Sequence, residues 1–411
     1  MYLQLAWRNI WRNPRRTLII LSAIIIGVVS MIFLASLMRG MMEGMVENAI
    51  DNMVGHVRVR HPDYRTDPAI DNRMTEPAAI RREMERLLPG GTRIAERIRV
   101  DAVVNTAREM AGVTLLGISP EAEKGVSFIG NAPLEGRFFR EGEAAGIVIG
   151  RSLADKLGTG IGRKVVLMSQ DAEGEIASRA FRIRGIYRAE LAATEKAFVF
   201  APLSAVGRML KVEGAATEIA AALPGRKIAG TDLSPLAKAL GERLAPLGVR
   251  AEQWREALPA INAYLGLFDS FLYIWYLVVF AAMGFGIVNT VLMAVYERMR
   301  EFGLLKALGM RPARIFRMVL GETLLLLAVG LLAGNLAGLS AVGLLSRTGI
   351  NLSAFSSGTE MWGLDRIILP VLAPADLLTA NLTVLVLGIA VGIYPALRAA
   401  RFTPQETMRR S

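Results

Sequence analysis

Residues 17–38 read TLIILSAIIIGVVSMIFLASLM, an apolar run of 22 residues without a charged side chain. A helix needs about 20 such residues to cross the hydrocarbon core of a bilayer. Three later stretches, Ser270–Tyr296, Thr323–Ser346 and Leu377–Leu397, have nearly the same character. The sequence therefore predicts four membrane-spanning helices, at residues 17–38, 270–296, 318–346 and 377–397.

The formal net charge of +11 is confined to three short segments between and around these spans. Residues 1–16, 297–317 and 398–411 carry 14 basic and 3 acidic residues, whereas the long segment 39–269 carries 32 and 30. Basic residues accumulate in cytoplasmic loops of membrane proteins. We therefore predict cytoplasmic termini, with segment 39–269 and the short loop 347–376 in the periplasm. The charge distribution also argues against a nucleic-acid partner, because the excess encodes membrane orientation.

A cleaved signal peptide is the alternative interpretation of the first span. Its apolar run is longer than the roughly 7–15 residues of a signal core, and Met38-Arg39-Gly40 offers no small-x-small cleavage site. We therefore predict an uncleaved helix. The chain has no cysteine, so neither a disulfide nor an N-terminal lipid-modified cysteine is expected.

Segment 39–269 is predicted to be a mixed α+β domain, joined to the first and second spans by stalk helices. Alternating and β-branched residues predict strands, and proline or serine starts followed by periodic apolar residues predict helices. The predicted strands cover residues 57–60, 92–104, 109–118, 164–169 and 175–188. The predicted helices cover residues 75–88, 152–157, 202–210 and 234–244. The fold class is thus membrane α-helical, with four spans, plus a mixed α+β extracytoplasmic domain.

No catalytic or metal-binding pattern is visible in the sequence. Residues 158–164, GTGIGRK, lack the spacing and the final Ser or Thr of a phosphate-binding loop. His56 and His61 flank a predicted strand without a third ligand nearby. We therefore predict a non-catalytic chain with no metal and no cofactor of its own, and we expect energy to come from another subunit.

Small residues recur at four-residue spacing in the third and fourth spans, which lets helix backbones approach closely in lipid. These residues are Gly330, Gly334, Gly338, Gly388 and Gly392. Packing within the chain and dimerisation are both open interpretations. Glu322, at the cytoplasmic entrance of the third span, is expected to cap the helix or to pair with Arg317.

Two groups of side chains near the outer membrane surface are candidate contacts for a hydrophobic substrate. The first is a methionine face at helical spacing, because flexible thioethers adapt to varied ligands; it comprises Met38, Met41, Met42 and Met45. Packing against the second stalk is the alternative. The second is the pair Phe268 and Phe271. They belong to an aromatic cluster, with Tyr273, Trp275 and Tyr276, that is also typical of an interfacial belt.

The segment between the second and third spans is the most informative one. Residues 297–312 read ERMREFGLLKALGMRP and predict a short amphipathic helix that Gly309 and Pro312 terminate. Phe302, Leu305 and Leu308 are predicted to share its apolar face. Such a face suits either a helix lying on the membrane or one seated in the groove of a cytosolic partner.

The same segment resembles the coupling segment, ER-x-RE-x-G-x-x-[KR]-A-x-G, of the four-helix ABC permeases. This family includes the Lol-type lipoprotein-releasing subunits, MacB and FtsX. Three other places are similar to the family pattern: the basic start at residues 5–17, the domain signature at residues 150–165, and the ending at residues 394–400 with Pro404. The resemblance covers essentially the whole chain.

The resemblance implies a dimer with a second permease subunit, identical or not, in the bacterial inner membrane. Two cytosolic ATPase subunits would dock beneath the coupling helices and would hold the ATP and Mg²⁺. The coupling residues would be Glu297, Arg300, Glu301, Gly303, Lys306 and Gly309.

Three functions are open under this resemblance, and each implies a different extracytoplasmic partner. The first is extraction or release of a lipoprotein or other hydrophobic substrate, with a periplasmic chaperone; length and layout resemble this type most. The second is FtsX-like mechanotransmission to a periplasmic partner. The third is MacB-like export of a small amphiphile into a tripartite pump, through an adaptor.

Overall fold

The computed structural model describes residues 7–8, 11–140, 142–189, 191–225, 232–352 and 367–402. The chain divides into two compact units. Among the described residues, those within 1–41, 265–352 and 367–402 form the helical unit, and those within 42–264 form the domain. Within the described residues, four helices are long and apolar enough to cross a membrane. The predicted fold class, membrane helices with a mixed α+β domain, is confirmed.

The bounds of the regular elements follow. The described α-helices are α1 (Pro14–Ala49), α2 (Pro77–Leu87), α3 (Pro120–Glu123), α4 (Arg151–Lys156), α5 (Ala192–Ala197), α6 (Leu203–Met209), α7 (Ser234–Leu244), α8 (Trp254–Ala257), α9 (Pro259–Glu297), α10 (Met299–Ala307), α11 (Pro312–Thr348) and α12 (Pro374–Arg401). The described strands are β1 (Val57–Arg60), β2 (Arg93–Asn105), β3 (Met110–Ile118), β4 (Leu134–Gly136), β5 (Gly146–Gly150), β6 (Lys164–Gln170), β7 (Ile176–Tyr187), β8 (Phe198–Pro202), β9 (Glu218–Ala222), β10 (Arg250–Gln253), β11 (Ile350–Asn351) and β12 (Ile367–Ile368).

The helical unit is built from α1, α9, α11 and α12 around one apolar core. α1 continues past the predicted end of its span to Ala49, and α9 begins at Pro259, ahead of the span that it contains. Each predicted stalk is therefore continuous with its membrane helix. Many large apolar side chains of these four helices are exposed on the outside of the helical unit. This is the arrangement expected of helices that face lipid.

The spaced glycines of α11 and α12 lie at contacts between helices of the same chain. The three in α11 face α1, and the two in α12 face α11. The nearest side chains are Ile24 to Gly330, Val28 to Gly334, Ile32 to Gly338, Leu327 to Gly388 and Thr323 to Gly392. A Cβ at Gly330 would lie only 2.5 Å from Cγ2 of Ile24. Glycine is therefore needed there for the close approach of two helices.

Two polar contacts also join the helices of this unit. Asn335 of α11 and Asn381 of α12 exchange side-chain amide hydrogen bonds of 2.6 and 2.9 Å. Arg39 of α1 donates two hydrogen bonds, of 2.5 and 2.7 Å, to the carboxylate of Asp376 at the start of α12. Hydrogen bonds between membrane helices fix which faces meet, and each contributes roughly 0.6–2 kcal/mol.

The domain contains a ten-stranded sheet that partly closes on itself. The strand order is β10-β1-β9-β2-β3-β8-β5-β7-β4, and β6 pairs with both β2 and β7. Strands β2, β3, β8, β5, β7 and β6 therefore form a closed ring, whose inward side chains include Val104, Leu115, Ile149, Leu167 and Phe181. Closure leaves no open edge within the ring, and it gives the domain a core of its own.

Candidate coupling site

The segment between the second and third spans folds as a separate short helix. α9 ends at Glu297, α10 runs from Met299 to Ala307, and α11 begins at Pro312. Gly309 has a φ of 90°, a left-handed conformation that glycine adopts without steric cost after a helix end. Pro312 occupies the first turn of α11, where its missing N–H costs nothing. Gly309 and Pro312 thus encode the break between α10 and α11, whereas the break between α9 and α10 falls at Arg298, without a proline or glycine.

A buried arginine connects α10 to the start of the third span. Arg298 donates from Nη1 to both carboxylate oxygens of Glu322 at 2.9 Å and from Nε to Glu301 at 3.0 Å. Its guanidinium also lies 5.1 Å from the ring centroid of the buried Phe302. The predicted pairing of Glu322 with Arg317 is therefore wrong. Arg298, at the junction of α9 and α10, binds the carboxylate instead, and Arg317 is exposed.

Most charged residues of the predicted coupling set make contacts inside the helical unit. Arg12 pairs with Glu301 at 2.7 Å, and Arg16 pairs with Glu297 at 2.9 Å. Lys306 donates hydrogen bonds of 2.6 and 2.5 Å to the carbonyls of residues 400 and 402. A cation at a helix C-terminus satisfies carbonyls that have no intrahelical donor. These side chains thus hold α10 against Arg12, just before α1, and against the end of α12, while Arg16 joins α1 to the end of α9.

Two opposing effects act on the carboxyl of Glu301. Partial burial raises the pKa of Glu301, whereas hydrogen bonds and positive charge from Arg298 and Arg12 lower it. The second effect is larger, so its pKa lies below the ordinary value. Glu301 is therefore ionised at neutral pH, and the two ion pairs are present under physiological conditions.

The outer surface of α10 is a face of three side chains, Arg300, Leu304 and Leu308, which we call the α10 face. Leu304 is 64% exposed and Leu308 is 77% exposed. Phe302 is buried in the helical core instead, and Leu305 packs partly against that core. The predicted shared face of Phe302, Leu305 and Leu308 is therefore wrong.

Helix geometry explains the error: at about 100° per residue, Phe302 and Leu308 lie roughly 120° apart. Residues at i, i+4 and i+8 share one side, so the exposed face could have been found by helical spacing. Three further exposed cations, Arg311, Arg314 and Arg317, follow at the start of α11. Among the described residues, none of them has a carboxylate within ion-pair distance, and the same is true of Arg300.

The remaining predicted residues occupy varied environments. Gly303 is buried in α10. Met45 is buried, while Met38, Met41 and Met42 are half-buried along α1. On α9, Phe271 and Tyr273 are exposed, Phe268 and Trp275 are half-buried, and Tyr276 is buried. Tyr276 therefore does not belong to an outward belt, because its position on α9 faces the helical core.

No candidate metal site accompanies the α10 face. Over the described ranges, no group of three or more His, Asp or Glu side chains could hold a metal ion. His56 Nδ1 accepts a hydrogen bond of 3.1 Å from the backbone N–H of Leu223, and His61 Nδ1 accepts one of 3.3 Å from that of Asp63. Both imidazoles thus have local structural partners.

Two family models match the chain in succession. Residues 17–230 match the MacB-like periplasmic core domain, and residues 273–404 match the FtsX-like permease C-terminal region. The first match alone spans more than half of the chain. The chain belongs to the MacB/FtsX-like permease family. This is a family of ABC transporter permeases, and α10 with its exposed face lies within the FtsX-like region.

Curated relatives of this permease carry two kinds of name. The macrolide export ATP-binding/permease protein MacB 2 of Yersinia pestis bv. Antiqua is 32% identical over 127 residues, which cover 31% of this chain and 16% of the relative. The lipoprotein-releasing system transmembrane protein LolE of Haemophilus influenzae is 22% identical over 336 residues, which cover 77% of this chain and 76% of the relative. The MacB match thus involves a small part of a much longer protein.

Two solved structures that are similar to the permease are extracytoplasmic domains. The periplasmic region of MacB from Actinobacillus actinomycetemcomitans matches 50% of this chain and 92% of that chain, at 11% identity and a TM-score of 0.35. The extracellular domain of YknZ from Gram-positive bacteria matches 48% and 99%, at 12% identity and a TM-score of 0.33. Because both TM-scores are below 0.5, the description of the domain's fold rests on its own strands and helices.

Proposed function

We propose that this permease is the membrane subunit of an ABC transporter and couples ATP hydrolysis in a separate ATPase subunit to release of a hydrophobic substrate. The observation that carries the proposal is the α10 face. It presents Leu304 and Leu308 beside arginines that have no carboxylate partner among the described residues, on a helix between two membrane spans. Apolar anchors at i and i+4 suit the groove of a protein partner, and surrounding cations would steer an acidic surface towards it.

The proposed orientation places the α10 face on the side where ATP is available. The basic segments 1–16, 297–317 and 398–411 all carry positive excess and alternate correctly for one side of a four-span protein. Basic residues favour the cytoplasmic side. Both termini and α10 would then be cytoplasmic, the domain would be periplasmic, and the membrane would be the bacterial inner membrane. The ATPase subunits would supply the ATP- and Mg²⁺-binding groups.

We further propose a lipoprotein or similar amphiphile as the substrate. The LolE match supports this choice over macrolide-type export, because it extends through three quarters of both chains whereas the MacB match covers 16% of the relative. Phe271, exposed on α9, and the half-buried Met38 and Met41 on α1 are candidate substrate contacts. A second permease subunit would complete the transporter.

Replacing both exposed leucines with aspartate tests the docking role. Leu304→Asp with Leu308→Asp should weaken association with the ATPase subunit at least tenfold, because an apolar hot-spot side chain contributes about 2 kcal/mol or more and 1.4 kcal/mol is a factor of ten. Both side chains point away from the helical core, so membrane insertion and thermal stability should persist. Co-purification and titration of the purified subunits in nanodiscs measure the effect.

Leu247→Asp is the matched control, since it places the same charge at an exposed leucine of the domain. It should leave ATPase association unchanged. Unchanged association in the Leu304, Leu308 double variant would contradict the docking role and would favour a helix that only rests on the membrane surface. The exchange of Glu301 with Lys306 is a poorer test, because both side chains hold α10 in place.

A further inference from the structure

The chain enters the domain after α1 through β1 and leaves it before α9 through β10, and these two strands are neighbours in the sheet. β1 begins three residues after the π-helical segment, Ile50–Val54, that follows α1. β10 ends at Gln253, and only α8 separates it from α9. β1 and β10 pair antiparallel, with Val57 opposite Gln253. The ends of both stalks are therefore connected to one pair of hydrogen-bonded strands.

Behind these strands lies a buried network of three cations and three anions, which we call the clamp network. Its members are Arg58, Arg60, Arg97, Glu123, Glu218 and Glu252. Arg97, with no exposed surface, binds Glu123 through hydrogen bonds of 2.6 and 2.8 Å and Glu218 through one of 3.0 Å.

The same network continues to the strand pair. Glu218 lies 3.6 Å from Arg58, and Glu252 lies 3.4 Å from Arg58 and 2.8 Å from Arg60. The network thus joins β1 and β10 to β9, β2 and α3. Burial raises the pKa of Glu218, but the positive charges of Arg58, Arg97 and Arg99 lower it by more. The pKa therefore lies below its ordinary value, and this carboxylate stays ionised.

Arg97 also holds the end of the first stalk directly. Its guanidinium donates a hydrogen bond to the backbone carbonyl of Met53, in the π-helical segment. Met53 has a φ of 79°, a left-handed conformation that is unfavourable for a residue with a side chain, and that side chain is fully buried. Such a conformation persists only where the surroundings over-determine it. Arg97 contributes to that constraint from β2, together with the apolar side chains that pack around Met53.

Stability alone is a weak reason for this arrangement. A buried ion network returns little more than the desolvation free energy that it requires, and well-packed apolar residues often serve stability as well. Several buried polar atoms here have no hydrogen-bond partner among the described residues, including Oε2 of Glu218, Oε1 of Glu252 and Nε of Arg58. A directional network that joins five elements does, however, fix their relative positions.

We propose that the clamp network makes the ends of both stalks move together with the central strands, and that Arg97 is its positioning residue. The inference rests on the proposed function, because a permease that transmits ATP-driven movement to its domain needs a rigid connection between the stalk ends and the central strands. Loss of this connection would leave a folded domain whose central strands no longer move together with the stalks.

The test replaces one charge-balanced pair of the network in the full permease with its ATPase subunit in nanodiscs. Arg97→Met with Glu123→Met removes one cation and one anion and leaves the remaining four charges balanced. Arg184→Met with Glu143→Met is the matched control, since it removes another Arg–Glu contact of 2.7 Å within the domain. Hydrogen–deuterium exchange is compared between nucleotide-free and vanadate-trapped states.

In the wild type and the control, we expect a nucleotide-dependent exchange difference in β1 and β10. In the clamp variant, that difference should be lost from β1 and β10 and retained in residues 42–49 of the first stalk. An unchanged difference, or faster exchange by the same amount in both states, would overturn the proposal, because a merely structural role predicts those results.

A second variant covers failure of the first to fold. Arg97→Lys keeps the charge but lacks the planar fork that reaches several partners at once, and it should lose the same difference. If it retains the difference, the clamp proposal is overturned. If the wild type shows no nucleotide-dependent difference anywhere in the chain, the proposed function fails, and the clamp proposal fails with it.

Discussion

Arg298→Ala should lower the stability of the helical unit by about 3–5 kcal/mol, the usual effect of removing one partner of a buried ion pair. Arg298 is buried, and its loss would remove two hydrogen bonds of 2.9 Å and an adjacent positive charge from the carboxylate of Glu322 at the entrance of the third span. Glu301 would keep its contact with Arg12. Thermal unfolding of the purified permease in detergent measures the change.

Two companion variants separate buried charge from lost contact area. Arg298→Met with Glu322→Met removes both charges, so it should recover most of the stability that Arg298→Ala loses. Arg16→Ala disrupts a more exposed pair with Glu297 and should have an effect below about 1 kcal/mol. If Arg298→Ala were as mild as Arg16→Ala, Arg298 would not anchor α10.

Gly330→Ala should destabilise the permease by about 1–3 kcal/mol, the usual range for an overpacked core. The new Cβ would lie 2.5 Å from Cγ2 and 2.8 Å from Cβ of Ile24. The Cβ of Ile24 cannot swing aside, so α1 and α11 must separate. Thermal unfolding and protease resistance of the inserted protein report the loss.

Gly343→Ala gives the matched control on the same helix. No atom lies within 4 Å of the position of its added Cβ, and alanine is the better helix former. Gly343→Ala should therefore be neutral or slightly stabilising. Equal effects at the two positions would contradict the packing of α1 against α11 and would favour a role for Gly330 in contacts between subunits.

The order of membrane helices and domain in this permease can be predicted well from the sequence, because the patterns that indicate it extend over many residues. Uncharged runs of about 20 residues define the spans, and Gly309 and Pro312 mark the C-terminal end of α10. Among the shorter strands, β5, β8 and β9 were not predicted. They are brief apolar runs, and periodicity alone does not distinguish such runs from a buried helix.

Buried charge is the feature that sequence patterns missed. Arg58 and Arg60 alternate with Val57 and Val59, which predicts a strand with one exposed face, yet all four residues are buried. β1 lies between β9 and β10, and acids remote in sequence neutralise its arginines. Arg298 looks equally like a surface residue until the partner from α11 is known. Ion pairs between distant segments leave no local signature.

The proposed topology, with a cytoplasmic α10 face and a periplasmic domain, can be tested by cysteine labelling. The permease has no cysteine, so Leu308→Cys and Ile176→Cys each create one exposed thiol. In sealed inverted inner-membrane vesicles, an impermeant maleimide should label Leu308→Cys at once and Ile176→Cys only after detergent is added. Immediate labelling of Ile176→Cys with protection of Leu308→Cys would contradict this topology.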